Sequence, residues 1–223
     1  MTLQFATEIE RLKKMILGLG ARVEANLNRA VQSLERKDAQ LAEEVIQLDD
    51  EIDRAEVELE EECLKILALH QPVAIDLRFI VACLKINNDL ERIGDLAVNI
   101  AERAQLLAKE EPIPAISMDL AGMAEKTQDM LRRSLDALVN MDSEIAASVR
   151  DSDDEVDDLN RQMYDEVKQG IKSDPEHINA LIHYLSASRQ LERIADHATN
   201  IAKDIIYMID GKIVRHRASV ENG

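Results

Sequence analysis

The chain has 223 residues and a net charge of −17, from 44 acidic and 27 basic residues. Apolar residues make up 46% of it but aromatic residues only 2%, which excludes a disordered chain and predicts an aliphatic core. Seven glycines and four prolines are too few for the many turns of an all-β protein. The negative charge and the lack of a basic patch argue against binding to nucleic acid.

The two cysteines, Cys63 and Cys83, are isolated in apolar helical stretches. This pattern predicts buried free thiols in a reducing compartment, with neither a disulfide framework nor a zinc site. No apolar run approaches the roughly 18 residues of a membrane span, and the charged N-terminal region does not have the pattern of a signal peptide. We therefore expect a cytoplasmic protein without direct membrane insertion.

Periodic apolar positions separated by proline and charged breaks predict six long helices. Their expected ranges are 4–36, 38–69, 72–109, 117–140, 142–172 and 175–210. Asp38, Asp142 and Asp174 are candidate N-caps, and Gly211 is a candidate C-terminal stop. The longest break, 110–117, divides the chain into a first three-helix unit (1–110) and a second (117–211), followed by a short tail (212–223).

The two units resemble each other in sequence. Residues 90–101 and 191–202 are identical at nine of twelve positions, and 49–53 match 153–157. The offset is 104 for the earlier match and 101 for the later one, so three residues are missing from the last joint of the second unit. Two matches in order indicate an internal duplication. The predicted fold class is all-α, with two pseudo-symmetric three-helix bundles.

Each duplicated block carries acidic residues on one helical face. Glu91 and Asp95 lie about 40° apart on a helix, opposite the apolar stripe, and Glu192 and Asp196 repeat this arrangement. Acidic pairs with the same spacing occur one helix earlier in each unit: Asp49 with Asp53, and Asp153 with Asp157. If neighbouring helices align these pairs, four carboxylates converge in each unit. Such clusters need a cation or protonation, and oxygen ligands suit Mg, Ca, Mn or Fe.

The same residues also have a purely structural explanation. Acidic pairs arise often by chance in a chain that is one-fifth acidic, and Arg92 and Arg193 are placed to neutralise them as salt bridges. His197 points away from the acidic face. No Glu-x-x-His, P-loop, dinucleotide-binding turn or nucleophile elbow occurs, so we expect no enzyme. A metal-dependent enzyme with a carboxylate-bridged cluster is the alternative.

The blocks that begin Glu91-Arg92-Ile93-Gly94-Asp95 and Glu192-Arg193-Ile194-Ala195-Asp196 resemble the duplicated signature of the PhoU family, and the resemblance covers essentially the whole chain. It implies two three-helix bundles in a regulatory adaptor of phosphate transport and homeostasis. Such adaptors link the ATPase subunit of a phosphate ABC transporter to a sensor histidine kinase and regulate the phosphate-starvation response negatively. A homodimer is also a family expectation. A related protein serving another phosphate permease remains an alternative.

The resemblance further implies metal ions, with Fe, Zn, Mn and Mg all compatible, on the acidic motifs. Matched residue by residue, the ligands are Glu91 and Asp95 in the first unit and Glu192 and Asp196 in the second. The pairs on the preceding helices fit the same pattern. One departure is that Lys203 stands where the first unit has Glu102. We therefore expect two unequal sites, with the second one weaker.

Overall fold

The structure is a computed structural model that describes residues 3–111 and 119–211, and all regular secondary structure in these ranges is helical. The elements are α1 (Leu3–Arg36), α2 (Ala39–His70), α3 (Ala74–Leu107), α4 (Leu120–Asn140), α5 (Ser143–Arg150), α6 (Asp153–Ser173), a 3₁₀ turn (Pro175–His177) and α7 (Ile178–Asp210). The predicted all-α class is confirmed. The predicted start of the fourth helix at 117 and the tail 212–223 lie outside the described residues.

The helices form two three-helix units. Helices α1, α2 and α3 pack together in the first unit, and α4, the consecutive pair α5–α6, and α7 pack together in the second. The contact between α3 and α7 is the most extensive in the described chain, and α1 also touches α4. Buried aliphatic side chains of both units belong to one continuous hydrophobic cluster.

The prediction of a single helix over 142–172 is wrong, because a turn at Asp151 and Ser152 separates α5 from α6. The Ser152 amide donates to the Val149 carbonyl at 3.1 Å, which tightens the last turn. The guanidinium of Arg133 on α4 donates to the carbonyl of Ser148 and to the hydroxyl of Ser152, at 3.2 and 2.7 Å. A side chain from another helix therefore satisfies groups at the break, and helical periodicity carries no signal of it.

The first inter-helix turns of the two units are built alike. Asp38 accepts hydrogen bonds from the amides of Gln40 and Leu41, both at 3.0 Å, as the N-cap of α2. Asp142 does the same for the first amides of α5, and the residues preceding both aspartates have positive φ, 52° at Lys37 and 53° at Met141. The predicted caps Asp38 and Asp142 are thus confirmed, at an offset of 104 residues, whereas the side chain of Asp174 accepts no capping hydrogen bond from the 3₁₀ turn that follows it.

A second repeated contact lies deeper in each unit. The buried Asn87 of α3 donates to the Glu56 carboxylate of α2 at 2.9 Å. At the equivalent place, Ser188 of α7 donates to the side-chain oxygen of Asn160 on α6 at 3.0 Å. The residues differ but the contact is kept. Residues related by the offset of 104 on α2 and α6, and by the offset of 101 on α3 and α7, are therefore structurally equivalent.

Several smaller predictions are also settled by the structure. Gly211 ends α7 with a left-handed φ of 68°, as a C-terminal stop requires. Cys63 and Cys83 are free and buried, and burial raises the pKa of the Cys63 thiol to about 12. Within the described ranges, no helix combines the length and apolar composition that crossing a bilayer requires.

Removing an N-cap tests the repeated turns. Asp38→Ala deletes the acceptor of two backbone amides, so the free energy of unfolding should fall by about 1 kcal/mol, and Asp142→Ala should cost a similar amount. Urea unfolding followed by circular dichroism measures both. Asp38→Asn keeps an accepting oxygen and serves as the control. A loss as large in Asp38→Asn as in Asp38→Ala would contradict the capping role.

Candidate functional site

The structure brings the acidic residues of the first unit together where α2 packs against α3. We call Asp49, Asp53, Glu91 and Asp95 the first acidic site. The pKa of Asp49 rises from its ordinary 3.8 to about 6, because the side chain is half-buried and faces the charges of Asp53, Asp95 and Glu91. Burial and then the charge of Asp95 also raise the pKa of Glu91. The carboxylates of the two helices therefore lie close enough for their charges to raise one another's pKa.

Asp49 is the residue of this site that most needs a partner. Its Oδ1 is buried and accepts no hydrogen bond within the described structure. Gly94 of α3 lies directly opposite, and a Cβ atom there would stand 3.0 Å from that oxygen and 3.3 Å from Ile52. The absence of a side chain at Gly94 is what allows α3 to approach Asp49 so closely. A buried carboxylate oxygen without a donor is energetically costly unless a cation or a proton reaches it.

The second unit repeats the arrangement between α6 and α7. We call Asp153, Asp157, Glu192 and Asp196 the second acidic site. Burial first, and then the charges of Asp196 and Asp157, raise the pKa of Asp153. The pKa of Asp196 is raised by burial and then by Asp157, and that of Glu192 by burial and then by Asp196. All four predicted residues of each unit therefore interact electrostatically within their own site.

The two acidic sites differ in how their buried aspartate is satisfied. The Thr199 hydroxyl donates to Asp153 at 3.1 Å, whereas the equivalent residue of the first unit is Val98, which has no donor. The positive charge of Lys203 lowers the pKa of both Asp153 and Asp196 and so offsets part of the increase. The first acidic site therefore has more uncompensated negative charge than the second.

The donor sets fit a hard or borderline cation, although the side chains are not arranged around one. Both sites offer only carboxylate oxygens, and the orphaned Asp49 oxygen lies within the first. Within residues 3–111 and 119–211, no three His, Cys, Asp or Glu side chains already form a group that could hold an ion. Ligation therefore requires rotation of side chains such as Asp95, which is exposed enough to move.

The salt-bridge explanation also has support in the first unit. Arg92 contacts Asp95 at 3.0 Å and Glu91 at 3.4 Å. Its side chain is about half exposed, so these ion pairs contribute little and an incoming cation can displace them at low cost. At the second site, Arg193 opposes the raised pKa of Glu192 through its charge.

Polar contacts between the two units could not be predicted from the sequence. His197 contacts Asp89 at 2.8 Å, and Lys85 donates to Asp204 at 3.0 Å while lying over the ring of Tyr207. These pairs join α3 to α7 across more than one hundred residues of sequence, where no spacing rule applies. His197 points away from the acidic face, as helical spacing predicts, and this direction leads to Asp89 of the other unit.

The first acidic site predicts an unusual pH dependence of stability in the metal-free protein. Between about pH 4 and 6, the folded chain keeps a proton on Asp49 that the unfolded chain has released, so stability falls as pH rises through this window. Asp49→Asn keeps the shape without the charge. In EDTA, it should therefore be more stable than the parent at pH 7.5, and the advantage should shrink toward pH 4.

Urea unfolding across this pH range measures the effect, with the exposed Glu44→Gln on the same helix as a matched removal of one carboxylate. Equal pH profiles for Asp49→Asn and Glu44→Gln would show that the burial of Asp49 has no energetic consequence.

The chain matches a known protein family along most of its length. The PhoU domain model matches residues 16–104 and again 120–205, one match per three-helix unit. A phosphate-specific transport system accessory protein PhoU homolog from Pseudomonas aeruginosa is 38% identical over 213 residues, covering 96% of this chain and 88% of that protein. A homolog of the same name from Aquifex aeolicus is 40% identical over 217 residues, covering 97% of each.

Solved structures agree with the sequence matches. The crystal structure of PhoU from Pseudomonas aeruginosa is similar with a TM-score of 0.90 at 38% identity, over 93% of this chain and all of that one. The phosphate transport system regulatory protein PhoU from Streptococcus pneumoniae gives a TM-score of 0.86 at 31% identity, over 94% and 99% of the two chains. The duplicated fold and the matches along nearly its whole length lead to one conclusion: the chain belongs to the PhoU family.

Proposed function

We propose that this chain is a regulatory accessory protein of a phosphate transport system and that its two acidic sites bind divalent or iron-type metal ions. Relatives matched over nearly the full chain are named as accessory proteins of phosphate-specific transport, which supports the first part. The buried, unpartnered oxygen of Asp49 is the observation that carries the second. The proposed role is one of binding and regulation, without catalysis.

The proposed ligands of the first acidic site come from two helices. Asp49 and Asp53 would hold an ion from α2, and Glu91 and Asp95 from α3. A bound Mg, Mn, Zn or Fe ion supplies positive charge among carboxylates that otherwise repel one another. The chain's own contribution is to hold Asp49 half-buried against Gly94, where its Oδ1 accepts no hydrogen bond within the described structure.

The partners in this proposal are the ATPase subunit of a phosphate ABC transporter and a sensor histidine kinase. The acidic surface suits association with basic surfaces, since opposite charge raises the rate of encounter and selects among partners. The chain would act in the cytoplasm, as a homodimer, and would keep the phosphate-starvation response off while phosphate is plentiful. Metal occupancy of the acidic sites would bias these associations.

Metal content of matched variants tests the acidic sites. Glu91→Gln with Asp95→Asn should remove the ions of the first site, and Glu192→Gln with Asp196→Asn those of the second. Because the first site has no counterpart of Thr199 or Lys203, the first pair of changes should lower total affinity more, by about tenfold or greater. Elemental analysis after anaerobic dialysis against Fe, Mn, Zn or Mg measures bound metal per chain.

Circular dichroism checks that each variant remains helical. The converse change, Lys203→Glu with Thr199→Val, gives the second site the residues of the first and should strengthen it. A variant that combines all four carboxamide changes is compared with the parent. Equal metal content in the two proteins would show that these carboxylates form a solvated or salt-bridged surface, and the metal part of the proposal would fail.

Association with the transporter tests the accessory role. The tagged chain should retain the phosphate-transport ATPase and the sensor kinase from membranes of its own organism, and retention should change when metal is removed with EDTA. A matched pulldown with a second phosphate permease as bait distinguishes the alternative accessory role. Retention of neither the ATPase nor the kinase would overturn the regulatory proposal, whatever the metal content.

A further inference from the structure

The end of the first unit exposes an unusual number of apolar side chains. Of the twelve large apolar side chains that the described chain exposes, six lie between residues 57 and 77, each between 40 and 73% exposed. We call these six the apolar end: Val57, Leu64, Leu69, Val73, Ile75 and Leu77. Val57 and Leu64 lie in the second half of α2, Leu69 in its last turn, Val73 in the turn that follows, and Ile75 and Leu77 in the first turn of α3. Exposed apolar side chains concentrated in one part of a chain are candidates for an interaction surface.

The internal duplication shows that the fold does not require these exposed side chains. At the offset of 104, the equivalents of Val57 and Leu64 on α6 are Arg161 and Lys168, and both are exposed. Helix α6 packs on α7 as α2 packs on α3, so one helical position is compatible with either an apolar or a basic residue. The fold of the unit therefore does not depend on apolar residues at these two positions of α2.

Acidic residues accompany the apolar residues along α2. Val57 and Leu64 are seven residues apart, which places them on one helical face two turns from each other. The exposed Glu60 and Glu61 lie between them and Glu58 lies beside them, while the exposed Arg54 and Lys65 flank this acidic stretch. A helix with aliphatic side chains two turns apart and lysine or arginine around them complements this face in both apolarity and charge.

The turn at the apolar end has an unusual backbone. Gln71 and Ala74 both have left-handed φ values, 46° and 52°, although neither is glycine. Val73 precedes α3 without any side-chain cap. In the second unit, a 3₁₀ turn starting with Pro175 makes the same connection, and none of its residues is among those with positive φ. Gln71 is the left-handed C-cap that commonly ends a helix, so the residue that distinguishes this turn is Ala74 at the start of α3.

We propose that the apolar end is a docking surface for a basic amphipathic helix of a partner protein. The inference rests on the proposed accessory role, which requires such partners, and it names the surface and the chemistry of one contact. A second copy of the chain fits less well. A twofold dimer through this surface would place Glu58, Glu60 and Glu61 of one copy against the same carboxylates of the other, and like charges repel.

Peptide binding to the purified full chain tests the surface. The probe is a labelled synthetic peptide of about 18 residues, with leucine on one helical face and lysine on the other. Fluorescence anisotropy should show binding that a scrambled peptide of equal composition does not reproduce. Val57→Thr with Leu64→Gln leaves the charge unchanged and should weaken binding about tenfold. Val57→Arg with Leu64→Lys copies the second unit and should weaken it further.

The matched control removes two exposed side chains from the second unit, Tyr164→Ser with Ile182→Gln, and should leave binding unchanged. Glu60→Gln with Glu61→Gln should reduce the dependence of binding on salt. Equal affinity in the parent and in Val57→Thr with Leu64→Gln would overturn the proposal. So would equal binding of the scrambled peptide, or self-association of the parent that disappears in this variant.

This test is independent of the test of the proposed function. It uses neither the transporter nor a metal ion, so loss of metal binding leaves its result unchanged. A chain that binds the peptide through the apolar end but retains no transport ATPase would keep the docking surface and lose the assigned role.

Discussion

The packing of α3 against α7 is the contact on which the rest of the molecule depends. Each of these helices buries one aliphatic face in its own unit and another against its counterpart, so only a narrow face is left for solvent. On α3 this is possible because the buried positions include small residues such as Gly94, Ala97 and Ala101, which let neighbouring helices approach. The acidic residues occupy the face that remains, and this confines them to the grooves beside α2 and α6.

Duplication explains both the likeness and the differences of the two halves. Contacts that the fold needs are kept with different residues, as in the pair Asn87–Glu56 and the pair Ser188–Asn160. Positions outside such contacts have diverged freely. Each unit therefore serves as a comparison for the other. Where one unit has an unusual residue, the other shows that the same helix forms without it. The hydroxyl of Thr199 in the second acidic site and the exposed Leu64 in the first unit are two such residues.

The sequence was informative where the determining interactions are local. Helix starts at Asp38 and Asp142 follow from a side chain reaching amides two and three residues ahead, and acidic faces follow from helical spacing. The interruption of α5–α6 could not be predicted, because Arg133 of another helix satisfies it. The contact between Asp89 and His197 depends on how the two units pack, which no repeat within one unit encodes. The orphaned oxygen of Asp49 likewise depends on the depth at which α3 approaches α2.

The shared hydrophobic cluster determines how the two units unfold. Most buried aliphatic side chains of the two units belong to one cluster, while Met163, Val167 and Leu181 form a small separate cluster in the second unit. The duplicated halves, although each carries its own acidic site, should open and close as one cooperative body. Unfolding of one unit would expose buried surface of the other, so the two halves should unfold in a single transition.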